Sequence, residues 1–265
     1  MSMYAAADLG RAFSNLRGWS YLASKQIQLE HRRTWIGSAW VIVTFALTSV
    51  GIGVLMSQLQ GRPYVDHVPY VVFGFAAWNF ISSTVTAGAN VMVNAKPYLL
   101  QMPTPRSVFV LSLVLRNLYL LGLQLATAAL VALGLGWRPE MSALVAIPAI
   151  VLYAYTAFWA ALSLGLICAR FRDLTRLIEA VMRLSFFFTP IIWRADSARG
   201  EAGGFMGLLV DWNPFSYVLR VLRDPLLGDG VAANDWIVLA ALAALATAVG
   251  FAMLNAFGKR VTYWL

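Results

Sequence analysis

Charge is what this 265-residue sequence has least of, with Asp, Glu, Lys and Arg together making up 12% of the chain, about half the share in an ordinary soluble domain. A soluble fold is therefore excluded, and disordered, collagen-like and nucleic-acid-binding classes fall with it. Cysteine is nearly absent too. The lone Cys168 has no intramolecular disulfide partner and lies in an apolar run, which makes it a packing residue. No Gly-x4-Gly-Lys-Ser/Thr loop occurs, and Gly258-Lys259-Arg260 holds the only Gly-Lys pair, so the chain is not expected to hydrolyse nucleotides. The paired carboxylates of a proton relay are missing from the apolar stretches, where Glu179 is the sole acid. The first 33 residues are mixed polar and basic, without the compact apolar stretch and small-residue cleavage site of a signal peptide.

What is present is hydrophobic length. Sixty per cent of the residues are hydrophobic and the mean hydropathy is +0.70, values of a polytopic membrane protein. A helix needs about 20 apolar residues to cross the hydrocarbon core. Charge-free runs of 28, 29, 29 and 23 residues lie between Arg33 and Arg62, Asp66 and Lys96, Glu140 and Arg170, and Asp235 and Lys259. A fifth segment, Ser107 to Gly136, carries only Arg116, and a sixth, Leu174 to Trp193, has Arg176 near its start and is interrupted by Glu179 and Arg183. The reading is an all-α integral membrane protein with six transmembrane helices, about 36–58, 68–92, 107–136, 142–169, 174–194 and 236–258. They form one transmembrane domain, 34–265, behind an N-terminal segment, 1–33. With the N-terminus inside, the inner segments hold 12 Lys and Arg and the outer ones 6, so both termini are expected in the cytoplasm. His31 and His67 then fall on opposite sides of the membrane, which argues against a metal site within one subunit.

Three segments are not spans. Leu9, Phe13, Leu16, Ala23 and Ile27 recur at helical spacing with Arg11, Lys25, Gln28 and Arg32 pointing elsewhere, the pattern of an amphipathic helix in the cytoplasmic interface, its basic residues toward anionic membrane lipids. Prolines at 97, 103 and 105 fence in a short helix whose Tyr98, Leu99, Leu100 and Met102 suit docking to a partner or packing on the protein's own helices. Between Arg194 and Asp235, the uncharged runs Ala202–Val210 and Trp212–Leu219, nine and eight residues long, are too short to cross and are expected as re-entrant or interfacial helices.

Arg116, Glu179 and Arg183 are costly against lipid and should face protein, water or an interface. Glu179 and Arg183, four apart, are expected to form a structural pair on one helix face. The last span carries Ala240, Ala244, Ala248, Ala252 and Ala256, which permit close helix approach along a stripe that drifts about 40° per step. Aromatic residues crowd the spans and their ends. Belts at the membrane interface account for many of them, and a minority are suited to stack on sugar faces.

Several motifs together resemble the permease subunit of ABC-2 type exporters, in the polysaccharide branch that exports O-antigen, capsule or teichoic acid. They are Arg33-Thr34-Trp35-Ile36-Gly37-Ser38-Ala39-Trp40 before the first span and Phe73-Gly74-Phe75-Ala76-Ala77-Trp78-Asn79-Phe80 in the second. Arg170-Phe171-Arg172-Asp173, Thr189-Pro190-Ile191-Ile192-Trp193, Trp212-Asn213-Pro214-Phe215 and Arg223-Asp224-Pro225-Leu226-Leu227 follow in the family's order. The resemblance implies a homodimeric channel in the bacterial inner membrane, driven by two copies of a separate ATPase that carries the ATP and magnesium. This chain itself is expected to bind no cofactor. The family's coupling helix falls on Pro97, Tyr98, Leu99, Leu100, Gln101 and Met102, and its cargo is a lipid-linked polysaccharide, commonly on undecaprenyl diphosphate. No strong polar pathway motif stands out, so Trp35, Trp40, Trp78, Phe80, Phe186 and Phe187 are the candidates for the translocation path. A drug or small-lipid exporter of the same superfamily is the competing transporter. A membrane enzyme acting on lipid-linked sugars would need an acid, base or metal cluster, and none is visible.

The topology is open to test with single cysteines introduced near Arg62, Pro103, Arg138 and Gly200. Reagents that cannot cross the membrane should label the first, third and fourth from the periplasm and leave the second unlabelled.

Overall fold

The computed structural model describes residues 3–31, 37, 39–102, 104–194 and 205–264, and all regular structure among the described residues is helical. In chain order the elements are α1 (Met3–Ser14), α2 (Leu16–His31), α3 (Ala39–Leu59), α4 (Tyr64–Asn94), α5 (Lys96–Gln101) and α6 (Arg106–Gly134). A 3-10 turn (Met141–Val145) leads into α7 (Ala146–Arg170), followed by α8 (Asp173–Phe188), α9 (Phe205–Trp212), α10 (Pro214–Leu227), α11 (Ala233–Phe257) and α12 (Val261–Trp264). Among the described residues, five stretches are long and apolar enough to cross a membrane: Ala39–Leu59, Tyr64–Gln101, Arg106–Gly134, Met141–Arg170 and Ala233–Phe257. The expected span 174–194 is built differently. Its helix α8 has 16 residues, about 24 Å at 1.5 Å per residue, short of the roughly 30 Å of hydrocarbon. The non-helical turn Thr189–Trp193 continues it. The N-terminal segment expected as one amphipathic helix is two, because Asn15 stands between α1 and α2 and its Oδ1 accepts from the Gly18 N–H at 3.1 Å, a cap for the second helix.

The core is organised around α4, which packs against α3, α6, α7, α8 and α10. Small residues make this possible. A Cβ on Gly88 of α4 would lie 2.8 Å from the Ala161 Cβ of α7, and one on Gly165 of α7 would lie 2.6 Å from Val91 Cγ1 of α4. The two backbones therefore approach as closely as their side chains allow, the usual solution where lipid supplies no hydrophobic drive between helices. Helix α11 repeats the device, since a Cβ on Gly250 would sit 2.8 Å from Trp159 Cε3 of α7. The buried positions of α11 are Asp235, Leu239, Ala243, Gly250 and Leu254. The alanine stripe 240, 244, 248, 252 and 256 is exposed throughout, so these residues are not what joins α11 to its neighbours. Peripheral α3 buries Phe45, Ser49, Gly53 and Ser57, one residue per turn.

The helix ends sort into two groups. Near one end of the bundle, α1 and α12 meet the start of α6, the end of α7 and the end of α11, with α5 beside them. At the other end, the turn Thr189–Trp193 and α10 meet the start of α4 and the segment between α6 and α7. Helix α10 begins at Pro214 behind an Asn213 cap whose Oδ1 accepts from the Phe215 N–H at 3.0 Å. It ends at Gly228, whose φ of 91° is left-handed and favours glycine.

The α4–α7 contact generates a stability prediction. Gly88→Val should overpack against Ala161 and cost about 1 to 3 kcal/mol, read as a lowered unfolding temperature in detergent, whereas the same change at Gly122, which has open space around it, should be near neutral.

Candidate functional site

One face of α4 is polar at the heart of an apolar bundle. Asn79, Ser82, Ser83, Thr86 and Asn90 are all half-buried on it, at the three- and four-residue spacing that keeps side chains on one side of a helix. The hydroxyl of Ser83 donates to Phe80 O at 3.2 Å and that of Thr86 to Ser82 O at 2.8 Å. Both thereby satisfy their donors within the helix and leave oxygen lone pairs toward the open side. Two adjoining cavities share Ser82 and Thr86. The larger, about 590 Å³, opens toward α8 and is lined by Trp78, Glu179, Met182, Arg183, Phe186 and Phe187. The smaller, about 310 Å³, opens toward α6, where Asn117 and Gln124 add polar groups. Deeper in, Asn117 Nδ2 donates to Thr84 Oγ1 at 3.1 Å, and the guanidinium of Arg116 donates to Asn117 Oδ1 at 3.3 Å. The result is a cleft with hydroxyl and amide groups on its floor and aromatic rings and charges on one wall.

The sequence-derived candidates divide within this geometry. Trp78, Phe186 and Phe187 come together on the larger cavity. Trp78 is also packed, 5% exposed, with its ring 6.0 Å from Phe186 and 5.7 Å from Phe215. Phe80 is buried and stacks on Tyr153 at 5.7 Å, and it also lines the smaller cavity. Phe187 is 64% exposed and is the ring most available to a passing molecule. Trp40 is exposed on α3 and lines neither cavity, and Trp35 lies outside the described residues. Glu179 and Arg183 share the larger cavity, but among the described residues they are not joined by an ion pair; the expected structural pair is replaced by two charges facing the same space. Arg116 also borders a separate cavity of about 430 Å³ against α2, with Lys25, Asn94 and Tyr98. The polar residues of α4 and α6 were missed from sequence. Their signal was present as uncharged polar side chains recurring along one face, but it is silent to a search for charges and aromatics.

Beyond the cleft the turn Thr189–Trp193 is held from several directions. Pro190 O accepts from the Tyr70 hydroxyl at 3.1 Å and from Arg223 Nη1 at 2.7 Å. Ile192 O accepts from Gln60 Nε2 at 3.2 Å and His67 Nε2 at 3.3 Å, and Asn213 Nδ2 donates to Thr189 Oγ1 at 2.8 Å. The guanidinium of Arg223 lies 3.9 Å from the Tyr70 ring centroid, so α10 and α4 grip the turn jointly. Arg220 of α10 makes a two-oxygen contact with the buried Asp235 at the start of α11, Nη2 to Oδ1 at 2.6 Å.

The short helix α5 presents a different surface. Pro97 lies in its first turn, and Leu99 points inward at 6% exposure while Tyr98, Leu100 and Met102 are 52%, 58% and 64% exposed. Gln101 is exposed as well. Three large apolar side chains on so short a helix, with only Leu99 buried, form a surface that water does not favour.

Long apolar helices enclosing a polar cleft, with an apolar knob at one end, define a multi-pass membrane protein of the transporter class. Residues 17–227 match the family model described as ABC-2 type transporter, and the chain belongs to that family. Among its relatives, the O-antigen export system permease protein RfbA of Myxococcus xanthus is 26% identical over 196 residues, covering 73% of this chain and 74% of its own length. A protein of the same name from Klebsiella pneumoniae is 24% identical over 264 residues, 96% of each chain.

The packing of the cleft rings separates two kinds of variant. Phe187→Ala should change stability by no more than about 0.5 kcal/mol and slow transport per folded molecule. Trp78→Ala and Phe80→Ala should cost about 3 to 5 kcal/mol and reduce the amount of folded protein, as measured by size-exclusion yield beside transport.

Proposed function

We propose that this chain is the membrane-spanning subunit of an ATP-driven exporter that moves lipid-linked polysaccharide, of the O-antigen class, across the bacterial inner membrane. The observation that carries the reading is the cleft. Its floor of hydroxyls and amides offers many weak hydrogen-bonding positions, and its wall of Trp78, Phe186 and Phe187 offers aromatic faces. A sliding glycan needs contacts that are weak and repeated. The names of the Myxococcus and Klebsiella relatives point to the same cargo.

The proposal includes a homodimer, with the open cleft of one subunit completed by the other, and two copies of a partner ATPase that holds the ATP and magnesium. The chain binds no cofactor of its own in this reading. Pro97, Tyr98, Leu99, Leu100, Gln101 and Met102 form the docking helix, with Tyr98, Leu100 and Met102 as the contact face and Leu99 as its anchor to the membrane domain. Six crossings with both termini in the cytoplasm are supported by the chain's course. Helix α8 begins beside the end of α7, and the turn that follows it is bonded to the start of α4 at the opposite end of the bundle. The short α9 and α10 before the last span serve as re-entrant or interfacial elements, and α1 with α2 lies at the cytoplasmic interface.

The test is ATP hydrolysis by the complex of this chain with its ATPase in lipid nanodiscs. Lipid-linked polysaccharide should stimulate hydrolysis, and small hydrophobic cations should not; the reverse pattern would assign the chain to drug export. Replacing Leu100 and Met102 together with Asp should release the ATPase during purification while the permease still folds, and retention of the ATPase by that variant would contradict the docking role of α5.

A further inference from the structure

Helix α6 starts without a local cap. Its cap position is Pro105, whose side chain accepts nothing, and Pro has no polar group with which to satisfy the unpaired N–H groups of a first turn. The missing cap comes from another helix. The carboxylate of Asp8 on α1 is buried at 2% exposure. Its Oδ2 accepts from the Arg106 N–H at 3.0 Å, and its Oδ1 accepts from the Ser107 N–H at 3.1 Å and the Ser107 hydroxyl at 2.7 Å. A negative charge at a helix start is favoured by the helix dipole, and bonds from N–H groups to a buried carboxylate are among the strong ones. One turn earlier on α1, the Ala5 N–H donates to Asn255 Oδ1 near the end of α11 at 2.9 Å. The cations of Arg106 and Lys259 lie 6.0 and 5.5 Å from the centroid of the Tyr4 ring. Helix α1 is thus a strap with one attachment on the start of α6 and the other on the end of α11.

Its position relative to α5 gives the strap a mechanical meaning. Four residues, 102–105, separate α5 from α6 in the sequence, and a connection that short limits how far α5 can move without acting on the start of α6. Because Asp8 and Asn255 tie α6 and α11 to the same short helix, that action is shared with α11.

We infer that Asp8 is a positioning residue for energy coupling, fastening α1 across α6 and α11 so that displacement of α5 moves both helices as one body. The inference rests on the docking role proposed for α5.

Coupling is measured as ATP hydrolysed per glycan chain exported, in proteoliposomes containing the permease, its ATPase and lipid-linked polysaccharide, with thermal unfolding of the purified complex in parallel. Asp8→Ala should raise the ratio about fivefold or more and lower the unfolding temperature. Adding Pro105→Asp to Asp8→Ala supplies α6 with a local cap but leaves α1 detached from α6. The double variant should recover thermal stability while the ratio stays high. Asn255→Leu, which leaves the α6 cap intact, should also raise the ratio, and it keeps the test usable if Asp8→Ala fails to assemble. A ratio restored by Pro105→Asp would show that Asp8 is only a helix cap, and an unchanged ratio in Asn255→Leu would show that the strap carries no load. Either result overturns the inference. If the Leu100 and Met102 aspartate variant uncouples export while the strap variants do not, the inference alone has failed; if that variant also retains its ATPase and a normal ratio, the docking reading has failed with it.

Discussion

A buried backbone carbonyl outside a helix needs a hydrogen-bond donor, because leaving it unpaired costs about as much as a lost hydrogen bond. The turn Thr189–Trp193 is where this chain meets that requirement most heavily. Thr189, Pro190 and Ile191 are buried, and the carbonyls of Pro190 and Ile192 each receive two side-chain donors, drawn from α4, α10 and the segment joining α3 to α4. Much else follows from the donors' positions. Tyr70 must face α8 rather than lipid, Arg223 must be buried, and α10 must be pressed into the bundle instead of lying loosely over it. Asn213 both caps α10 and holds Thr189, so the start of α10 and the end of α8 are fastened by one side chain.

The second constraint is the closeness of α4, α7 and α11. Gly88, Gly165 and Gly250 bring backbones together where any side chain would collide, and van der Waals contact over that length holds the helices in place of a hydrophobic drive. With α4 tightly packed along its apolar sides, its polar side is left facing the cleft. The hydroxyls there keep their donors on α4 carbonyls, which lowers the cost of polar groups inside a membrane protein. The cleft is a consequence of how α4 is packed, and α8 completes it by laying Phe186 against Phe75 and Trp78.

At the opposite end the organising interaction is electrostatic. Asp8 is tolerated in a buried position because three donors and a helix start surround it. Those same bonds convert α1 from an amphipathic segment resting on the bundle into an attached part of it.

The sequence by itself determined the class: the scarcity of charge and the lengths of apolar runs marked five helices long and apolar enough to cross a membrane, and the proline spacing marked α5, because each of these is a local property of the chain. The resemblance in its motifs reached the correct family through residues such as Thr189–Trp193 and Asn213, whose role in bonding α8 to α10 no local reading reveals. Tertiary structure decided which aromatics are free. Phe80 and Phe187 look alike in sequence, yet one stacks on Tyr153 and the other is largely exposed. It also decided that Leu99 faces inward while Leu100 faces outward, that Glu179 and Arg183 do not pair, and that Asp8 caps a helix 98 residues away. Partners for polar groups and exposure of rings depend on which helices become neighbours, and that is set by close packing at a few glycines, whose contacts lie far apart in the chain.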